Sequence, residues 1–126
     1  MATGDTFFES DGKAVNVDLL YTVKKGQVAV VDSWAGITGE SGDSGDTIAL
    51  IADDREYQFY VPSSLSVSKG DIVYLEVADV TGHTPDDTAY STSAGSGKVA
   101  FFKATRDKTA QNVVTGILLA HNALAS

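Results

Sequence analysis

The chain has 126 residues, no cysteine and a formal net charge of −8, with an isoelectric point near 4.4. This length allows one domain with a substantial core, and the hydrophobic content of 43% is typical of a globular protein. The lack of cysteine excludes disulfides and thiolate metal sites. An acidic chain repels phosphate backbones, so nucleic acid is not an expected partner.

No run of residues approaches the length needed to cross a membrane, and residues 1–10 lack the pattern of a signal peptide. We therefore expect a soluble protein whose mature chain begins near residue 1, with no membrane partner. The composition divides the chain into an N-terminal arm (1–12), a single β domain (13–120) and a C-terminal tail (121–126).

The arm is small and polar around one apolar pair, Phe7 and Phe8. One interpretation is a frayed terminus, as chain ends commonly are. The other is an arm that docks both rings on a partner, either by adding a strand or by filling a pocket. The second interpretation makes Phe7 and Phe8 candidates for attachment.

Alternation of apolar and polar residues predicts strands along most of the domain. The predicted strands cover 13–22, 27–32, 47–52, 98–105 and 112–120, with two more around 57–61 and 73–77. The strand at 27–32 is almost wholly apolar and is expected to be buried on both faces. A short helix would also suit residues 113–118.

Four aromatic residues stand out in or beside these strands. Trp34 follows the second strand and is expected in the core or at a subunit interface, because so large a ring is rarely left in water. Tyr60 falls on the face opposite to Tyr57 and Phe59. Of the adjacent pair Phe101 and Phe102, one ring is expected to face the core and the other a neighbour or solvent.

One phrase of sequence occurs twice, 44 residues apart: 23–30 matches 67–74 without a gap. The match aligns Gly26 with Gly70, each in a turn where glycine can adopt positive φ without steric cost. Gly36-Ile37 and Gly116-Ile117 form a looser echo. Chance similarity of two turns is one explanation; the other is a duplicated turn-and-strand unit. The duplication favours a strand at 113–118 and predicts a pseudo-symmetric all-β domain of barrel or sandwich type.

The polar segments contain only weak candidates for catalytic or metal-binding residues. Gly42-Asp43-Ser44-Gly45 is similar to the nucleophile motif of trypsin-like proteases, but Asp46 replaces the next glycine, and His83 and His121 both follow the serine. The acidic residues of 39–46 also lack the spacing of a calcium loop. A solvated turn is the better interpretation.

The long polar segment 78–97 brings His83 near Asp86 and Asp87, which could hold a metal, although a solvated histidine is the favoured interpretation. Asp53 and Asp54 are neighbours that would point to opposite sides of an extended chain, so a hairpin turn is expected there rather than acid–base catalysis. No phosphate-binding or dinucleotide-binding glycine loop is present. The sequence therefore predicts no enzyme activity, no cofactor and no metal.

The turn sequences carry a resemblance. Lys69-Gly70-Asp71-Ile72, its copy at Lys25-Gly26-Gln27-Val28, and the Gly36-Ile37 and Gly116-Ile117 echoes resemble a family of small acidic proteins encoded beside the major capsid genes of tailed bacteriophages. The resemblance covers residues 15–119. Gln27 stands where the family commonly has an acid, and the loops at 39–46 and 78–97 are longer than the family pattern.

The resemblance implies a capsid decoration, or cement, protein with a barrel-like all-β fold. It implies homotrimers at three-fold and quasi-three-fold positions on the exterior of the expanded capsid, with the major capsid protein as partner. The protein would be made in the bacterial cytoplasm and reside in the virion. Phe7 and Phe8 would meet the capsid, and Trp34, Tyr60 and Phe102 become interface candidates.

Family members are sometimes labelled recombinase-like, but this chain lacks the nucleotide-binding loop and the basic surface that such an activity needs. Two other functions remain open. One is a receptor- or glycan-binding module of a phage head or tail fibre, with the 78–97 loop and Tyr90 as its binding face. The other is a small hydrolase that uses Ser44.

Overall fold

In a computed structural model of the protein, the described residues are Thr3, 14–32, 34–119 and the backbone of 124–125. Within these ranges the chain is built from short strands and two 3₁₀ turns, Val77–Asp79 and Asp87–Ala89. The strands are β1 (Ala14–Asp18), β2 (Val28–Val31), β3 (Trp34–Thr38), β4 (Thr47–Ile51), β5 (Glu56–Tyr60), β6 (Ile72–Glu76), β7 (Val80–Thr81), β8 (Thr84–Pro85), β9 (Tyr90–Ser91), β10 (Lys98–Ala104), β11 (Val113–Leu118) and β12 (Leu124–Ala125). No helix in the described part of the chain is long and apolar enough to cross a membrane.

The strands form two antiparallel sheets and a hairpin. The first sheet has the order β1-β4-β3-β2, and the second has the order β5-β11-β10-β6-β9 with β12 beside β10. Strands β7 and β8 form the separate hairpin. The all-β prediction is confirmed, with a sandwich-like arrangement rather than a closed barrel. The strand predicted at the end of the domain is also confirmed as β11.

Two clusters of buried apolar residues support the sandwich. The larger lies between the sheets and is centred on Phe59, Phe101 and Phe102. The smaller consists of Val17, Leu19, Val23, Ala29, Val31, Ile48 and Leu50. Strand β2 supplies side chains to both clusters, because Val30 points to the larger and its neighbours to the smaller. The prediction that this strand is buried on both faces is confirmed.

Both phenylalanines of β10 are fully buried, so the expectation that one of them faces a neighbour or solvent is wrong. The pairing of β10 with β6 shifts between Ala100 and Phe102, which marks a bulge at Phe101. A bulge places two residues opposite one partner and breaks the strict alternation of side chains. Both rings therefore enter the core, and Phe102 is removed from the interface candidates.

Gly116 makes room for this aromatic packing. Phe102 stacks on Phe59 with ring centroids 4.2 Å apart and planes 6° from parallel. Strand β11, which carries Gly116, lies between the strands that carry these two rings. A Cβ atom at residue 116 would lie 2.6 Å from Cδ2 of Phe102 and 2.7 Å from the carbonyl oxygen of Lys103. The close approach therefore requires glycine.

The turn before β6 is held by a repeated set of hydrogen bonds. The N–H of Ser68 donates to Oδ2 of Asp71 at 2.9 Å. Gly70, with φ at +90°, donates its N–H to the carbonyl oxygen of Ala104 at 2.8 Å. The N–H of Ala104 returns a bond of 2.8 Å to the carbonyl oxygen of Asp71. The turn thus starts β6 and fixes its register against β10.

The predicted copy before β2 has the same bonds. Lys24 donates its N–H to Oε1 of Gln27 at 3.0 Å, so the amide replaces the carboxylate. Gly26, with φ at +79°, donates to the carbonyl oxygen of Thr38 at 2.8 Å. Thr38 donates back to the carbonyl oxygen of Gln27 at 2.9 Å. The predicted turns at Gly26 and Gly70 are confirmed. Gln27 accepts in the first turn the bond that Asp71 accepts in the second.

A third copy precedes β4 and was not predicted. Asp43 donates its N–H to Oδ2 of Asp46 at 2.8 Å. Gly45, with φ at +94°, and Asp46 exchange backbone bonds with Leu19, each 2.8 Å long. The segment similar to a protease motif is therefore a structural turn. Asp46, the residue that departs from that motif, is the side chain that closes it.

The Gly36-Ile37 and Gly116-Ile117 echo does not mark equivalent positions in the fold. Gly36 lies in β3, the neighbour of β2, whereas Gly116 lies in β11, which does not pair with β6. Each lies in a close contact, since a Cβ atom on Gly36 would be 2.3 Å from the carbonyl oxygen of Ile51. The two glycines therefore share a steric cause and not a place in a repeated unit.

Two predicted boundaries are wrong. The first strand ends at Asp18 rather than at Thr22, because the turn around Gly45 captures the backbone of Leu19. Residues 53–55 do not form a hairpin, because β4 belongs to the first sheet and β5 to the second. They instead carry the chain across the sandwich.

We expect Gly116→Ala to lower the free energy of unfolding by about 2–3 kcal/mol, because the added methyl group meets a packed ring and a backbone carbonyl. Urea unfolding followed by the fluorescence of Trp34 measures this change. Gly95→Ala is the matched control, since its Cβ atom would meet the Lys98 side chain at an ordinary distance of 3.6 Å. Equal stability of the two variants would contradict the steric explanation.

Candidate interaction surface

Large apolar side chains are exposed at two places near the β7–β8 hairpin. Leu20 and Tyr21, which follow β1, are 71% and 54% exposed, and Tyr60 at the end of β5 is 72% exposed. Neighbouring exposed rings of this size often mark interaction sites. We call Leu20, Tyr21, Pro85, Tyr60 and Tyr90 the aromatic surface.

His83, in the turn between β7 and β8, holds the first end of this surface. Its ring is buried, and Nε2 accepts the backbone N–H of Leu20 at 3.0 Å and that of Tyr21 at 3.3 Å. The His83 and Tyr21 rings meet edge to face with centroids 5.2 Å apart. A Cβ atom on Gly82 would lie 3.4 Å from Cγ of Tyr21. The two exposed side chains therefore project from a backbone that is fixed in place.

The same histidine attaches the hairpin to the edge of the first sheet. Nδ1 lies 3.2 Å from the carbonyl oxygen of Val30, and the N–H of Val30 donates to the carbonyl oxygen of His83 at 2.9 Å. Nε2 of Gln27 also donates to Oγ1 of Thr84 at 2.5 Å. Because Nε2 accepts, the proton lies on Nδ1 and is donated to Val30. The prediction that His83 is merely solvated is wrong.

Two grooves meet at the other end of the surface. The apolar groove, of about 470 Å³, runs between β2 and β5. Its lining includes Val28, Ile37, Tyr57, Phe59, Tyr60 and Tyr90. The polar groove, of about 480 Å³, continues past the exposed Tyr60 and the half-buried Tyr90. Its lining includes Tyr60, Pro85, Asp87, Tyr90, Gln111 and Asn112.

The hydroxyl of Tyr90 is favoured in its protonated form. Burial raises the pKa of Tyr90, and the nearby Asp87 carboxylate raises it further. Burial disfavours the phenolate because the charged oxygen loses contact with water, and a like charge adds to that cost. Tyr90 therefore offers a neutral hydroxyl where the two grooves meet.

Tyr57, in the floor of the apolar groove, is tied to a buried carboxylate. Its hydroxyl donates to Oδ2 of Asp53 at 2.8 Å, and the N–H of Arg55 donates to Oδ1 at 3.2 Å. Burial raises the pKa of Tyr57, and its hydrogen bond to Asp53 and the charge of that carboxylate act in the same direction. Asp53 thus anchors the crossing between the sheets, while Asp54 is exposed.

The other interface candidates predicted from the sequence do not share one location. Phe7 and Phe8 lie outside the described residues. Trp34 opens β3 and packs against the smaller apolar cluster, half-buried. Tyr60 is exposed on the aromatic surface, as its position opposite to Phe59 predicts. The interface roles of these residues stay predictions.

Sequence reasoning missed Leu20, Tyr21 and His83. The alternation through residues 15–21 assigned Tyr21 to the buried face, since nothing in that stretch shows that the strand stops at Asp18. For His83 no local signal existed, because its partners are at least 53 residues away in the chain.

In the part of the chain that the structure describes, no group of three or more His, Cys, Asp or Glu residues is arranged to hold a metal ion. Comparison of the chain with models of protein families, with curated proteins and with solved structures finds no match. The aromatic surface and its grooves are therefore the candidate site.

His83→Ala should lower the free energy of unfolding by about 2–3 kcal/mol. It leaves the N–H groups of Leu20 and Tyr21 and the carbonyl oxygen of Val30 without the ring that they contact. Urea titration measures the loss, and amide hydrogen exchange should become faster at Leu20 and Tyr21. Thr84→Ala, next in the chain but exposed, should change stability by less than about 0.5 kcal/mol. Similar losses of stability in the two variants would argue against the role of the His83 ring in holding Leu20, Tyr21 and Val30.

Tyr57→Phe should cost about 1 kcal/mol at neutral pH, because the bond to Asp53 is lost while water still reaches the partly exposed ring. A raised pKa means that the Tyr57 contribution is fully present below its ordinary value of 10.0 and is lost as the pH rises through the folded-state value. The stabilities of wild type and variant should therefore converge above about pH 10.

Chemical unfolding at several pH values tests this convergence. Tyr60→Phe is the control, since the Tyr60 hydroxyl has no hydrogen-bond partner among residues 14–32 and 34–119. A constant difference between wild type and Tyr57→Phe from pH 7 to pH 11 would contradict the assignment.

Proposed function

We propose that the protein decorates the exterior of the expanded capsid of a tailed bacteriophage, as a trimer at three-fold and quasi-three-fold positions, and stabilises the shell. The observation that carries the proposal is the repeated turn. The residues on which the resemblance to decoration proteins rests, Lys25–Val28 and Lys69–Ile72, form the turns that start β2 and β6. The resemblance thus lies in elements on which the fold depends.

The aromatic surface supplies a suitable means of attachment. Leu20 and Tyr21 are held by His83 on one side of the β7–β8 hairpin, and Tyr60 and Tyr90 lie beyond Pro85 on the other. Rigid, exposed rings bury much apolar area at a low cost in conformational entropy, which suits contact with a partner. An interface of standard size buries about 800 Å² on each partner, and a trimer repeats its capsid contacts three times.

The charge of −8 suits an outer position, where the protein does not meet packaged DNA at close range. Selective binding to the expanded lattice stabilises that state by mass action, since a ligand that binds one of two states shifts the equilibrium toward it. Many modest contacts over the shell would add through avidity.

A receptor- or glycan-binding module is the second candidate. The polar groove favours it, because the exposed ring of Tyr60 and the half-buried ring of Tyr90 line it together with Asp87, Gln111 and Asn112. Among the described residues these three side chains form no hydrogen bonds of their own, so they are available to a ligand. Binding of the isolated protein to cells or glycans, without binding to capsids, would favour this function.

The first test measures the mass of the purified protein by light scattering and then its co-sedimentation with expanded capsids that lack it. We expect a trimer, or a monomer that saturates the capsids at stoichiometric sites. Leu20→Ser combined with Tyr21→Ser should weaken co-sedimentation about tenfold, since exposed anchors dominate interface energies. Ile117→Ser, which alters an exposed apolar residue outside the aromatic surface, should bind as wild type does.

Removal of residues 1–12 tests the arm separately. If Phe7 and Phe8 meet the capsid, the truncated protein should bind more weakly while its unfolding remains unchanged. Unchanged affinity would remove the arm from the account and leave the decoration proposal standing. A wild-type protein that ignores capsids would contradict the decoration proposal itself.

A further inference from the structure

We propose that the free edge of β5, with the apolar groove below it, is a strand-addition site for an extended segment of the capsid protein. This inference rests on the proposed function and names how the partner would be held. Strand addition combines backbone hydrogen bonds, which supply affinity, with pockets for alternate side chains, which supply specificity.

The first argument is the hydrogen-bond pattern of β5. Within the second sheet β5 pairs only with β11. The bonds that flank the strand run from Leu118 N–H to the carbonyl oxygen of Arg55 and from Val61 N–H to that of Asn112. Bonded residues of an antiparallel pair alternate along each strand. The backbone groups of residues 55, 57, 59 and 61 therefore face β11, and those of 56, 58 and 60 face outward.

The outward groups are available to a partner. In the described part of the chain, the N–H and C=O groups of Glu56, Gln58 and Tyr60 have no hydrogen-bond partner. A row of such groups at a sheet edge is a template for another strand. No proline or lysine interrupts the five residues of β5 to block pairing.

Unlike the edge of β5, the edge of the first sheet nearest to the apolar groove is covered. There Val30 donates to the backbone of His83 and accepts from its ring, so the β7–β8 hairpin covers that edge of β2. The same fold thus closes one of two neighbouring edges with a dedicated hairpin and leaves the other open. An open edge beside a closed one is the natural place for an added strand.

The apolar groove supplies the side-chain pocket. It lies directly beside β5, with Val28 and Ile37 of the first sheet on one wall and Tyr57 and Phe59 of β5 on the other. Successive side chains of a strand point to opposite faces, so every second residue of an added strand would enter this groove. Its walls suit an aromatic or branched aliphatic side chain.

Charge decides between the possible occupants. No lysine or arginine lines either groove, and Asp87 lines the polar one. Glu56 adds a carboxylate at the other end of β5. An added strand with a basic residue next to its apolar ones is therefore favoured. A second copy of β5 is disfavoured, because the pairing would bring the two Glu56-bearing edges of an acidic protein together.

Gln58→Pro tests the edge directly. Proline removes the outward N–H of residue 58, whereas the bonds to β11 come from residues 57 and 59, so an edge proline of this kind is tolerated. Gln58→Ala is the matched control, since it removes the same side chain and keeps the N–H. Co-sedimentation with expanded capsids should be about tenfold weaker for Gln58→Pro than for Gln58→Ala.

A second measurement needs no variant. Hydrogen exchange read by mass spectrometry should show new protection of residues 56–60 when wild-type protein is bound to capsids. Equal binding of the two variants without such protection would overturn the strand-addition site and leave the decoration proposal intact. Equal loss of binding by both variants would also overturn it, because the side chain and not the backbone would be responsible.

Three further results would count against the proposal. A change in the solution mass of Gln58→Pro relative to Gln58→Ala would make a second copy the occupant. Failure of wild-type protein to sediment with capsids would remove the proposed function and the strand-addition site together. Saturable binding of the wild-type protein to a panel of neutral oligosaccharides, lost in Tyr60→Ala, would assign the grooves to a sugar instead.

Discussion

The arrangement of the second sheet depends on one steric constraint, the close packing of Phe102 against Gly116. Because β11 has no side chain at that point, the Phe102 ring lies flat over it and stacks on Phe59 of β5. The bulge at Phe101 adds a third ring to the same cluster. Three rings in contact bury a large apolar area and fix the relative positions of strands that do not pair directly. The exposed end of β5, including Tyr60, is positioned by this packing.

Sheet edges are the second organising feature. A small antiparallel sandwich has edge strands that can pair with other chains, and proteins commonly cover them. Here the β7–β8 hairpin covers β2, and the His83 ring that attaches it also fixes Leu20 and Tyr21 in an exposed position. The covering of the β2 edge and the exposed position of Leu20 and Tyr21 therefore both depend on the His83 side chain. The open edge of β5 lies across the apolar groove from β2, so the edge proposed to bind a partner is next to one that the fold covers.

The sequence was sufficient for elements whose signal is local. Alternation located most strands, and the phrase shared by 23–30 and 67–74 identified two turns whose bonds are equivalent. A turn was also expected at 39–46, but its equivalence to the other two was missed because Asp43–Asp46 was compared with a catalytic motif. Non-local effects could not be predicted: the bulge that buries Phe102 depends on pairing with β6, and the burial of His83 depends on Leu20, Tyr21 and Val30. The same cause explains why the aromatic surface was only partly foreseen, through Tyr60 and Tyr90.

The central proposal is that a rigid sandwich presents an aromatic surface and an open edge to the outside of a phage capsid. Electron cryomicroscopy of expanded capsids incubated with the protein tests this claim most directly. We expect density for three copies at three-fold and quasi-three-fold positions, with the side that carries Tyr21 and Tyr60 turned toward the capsid and a capsid segment beside β5. Capsids with bare exteriors at saturating protein, or copies attached by the opposite side, would contradict it.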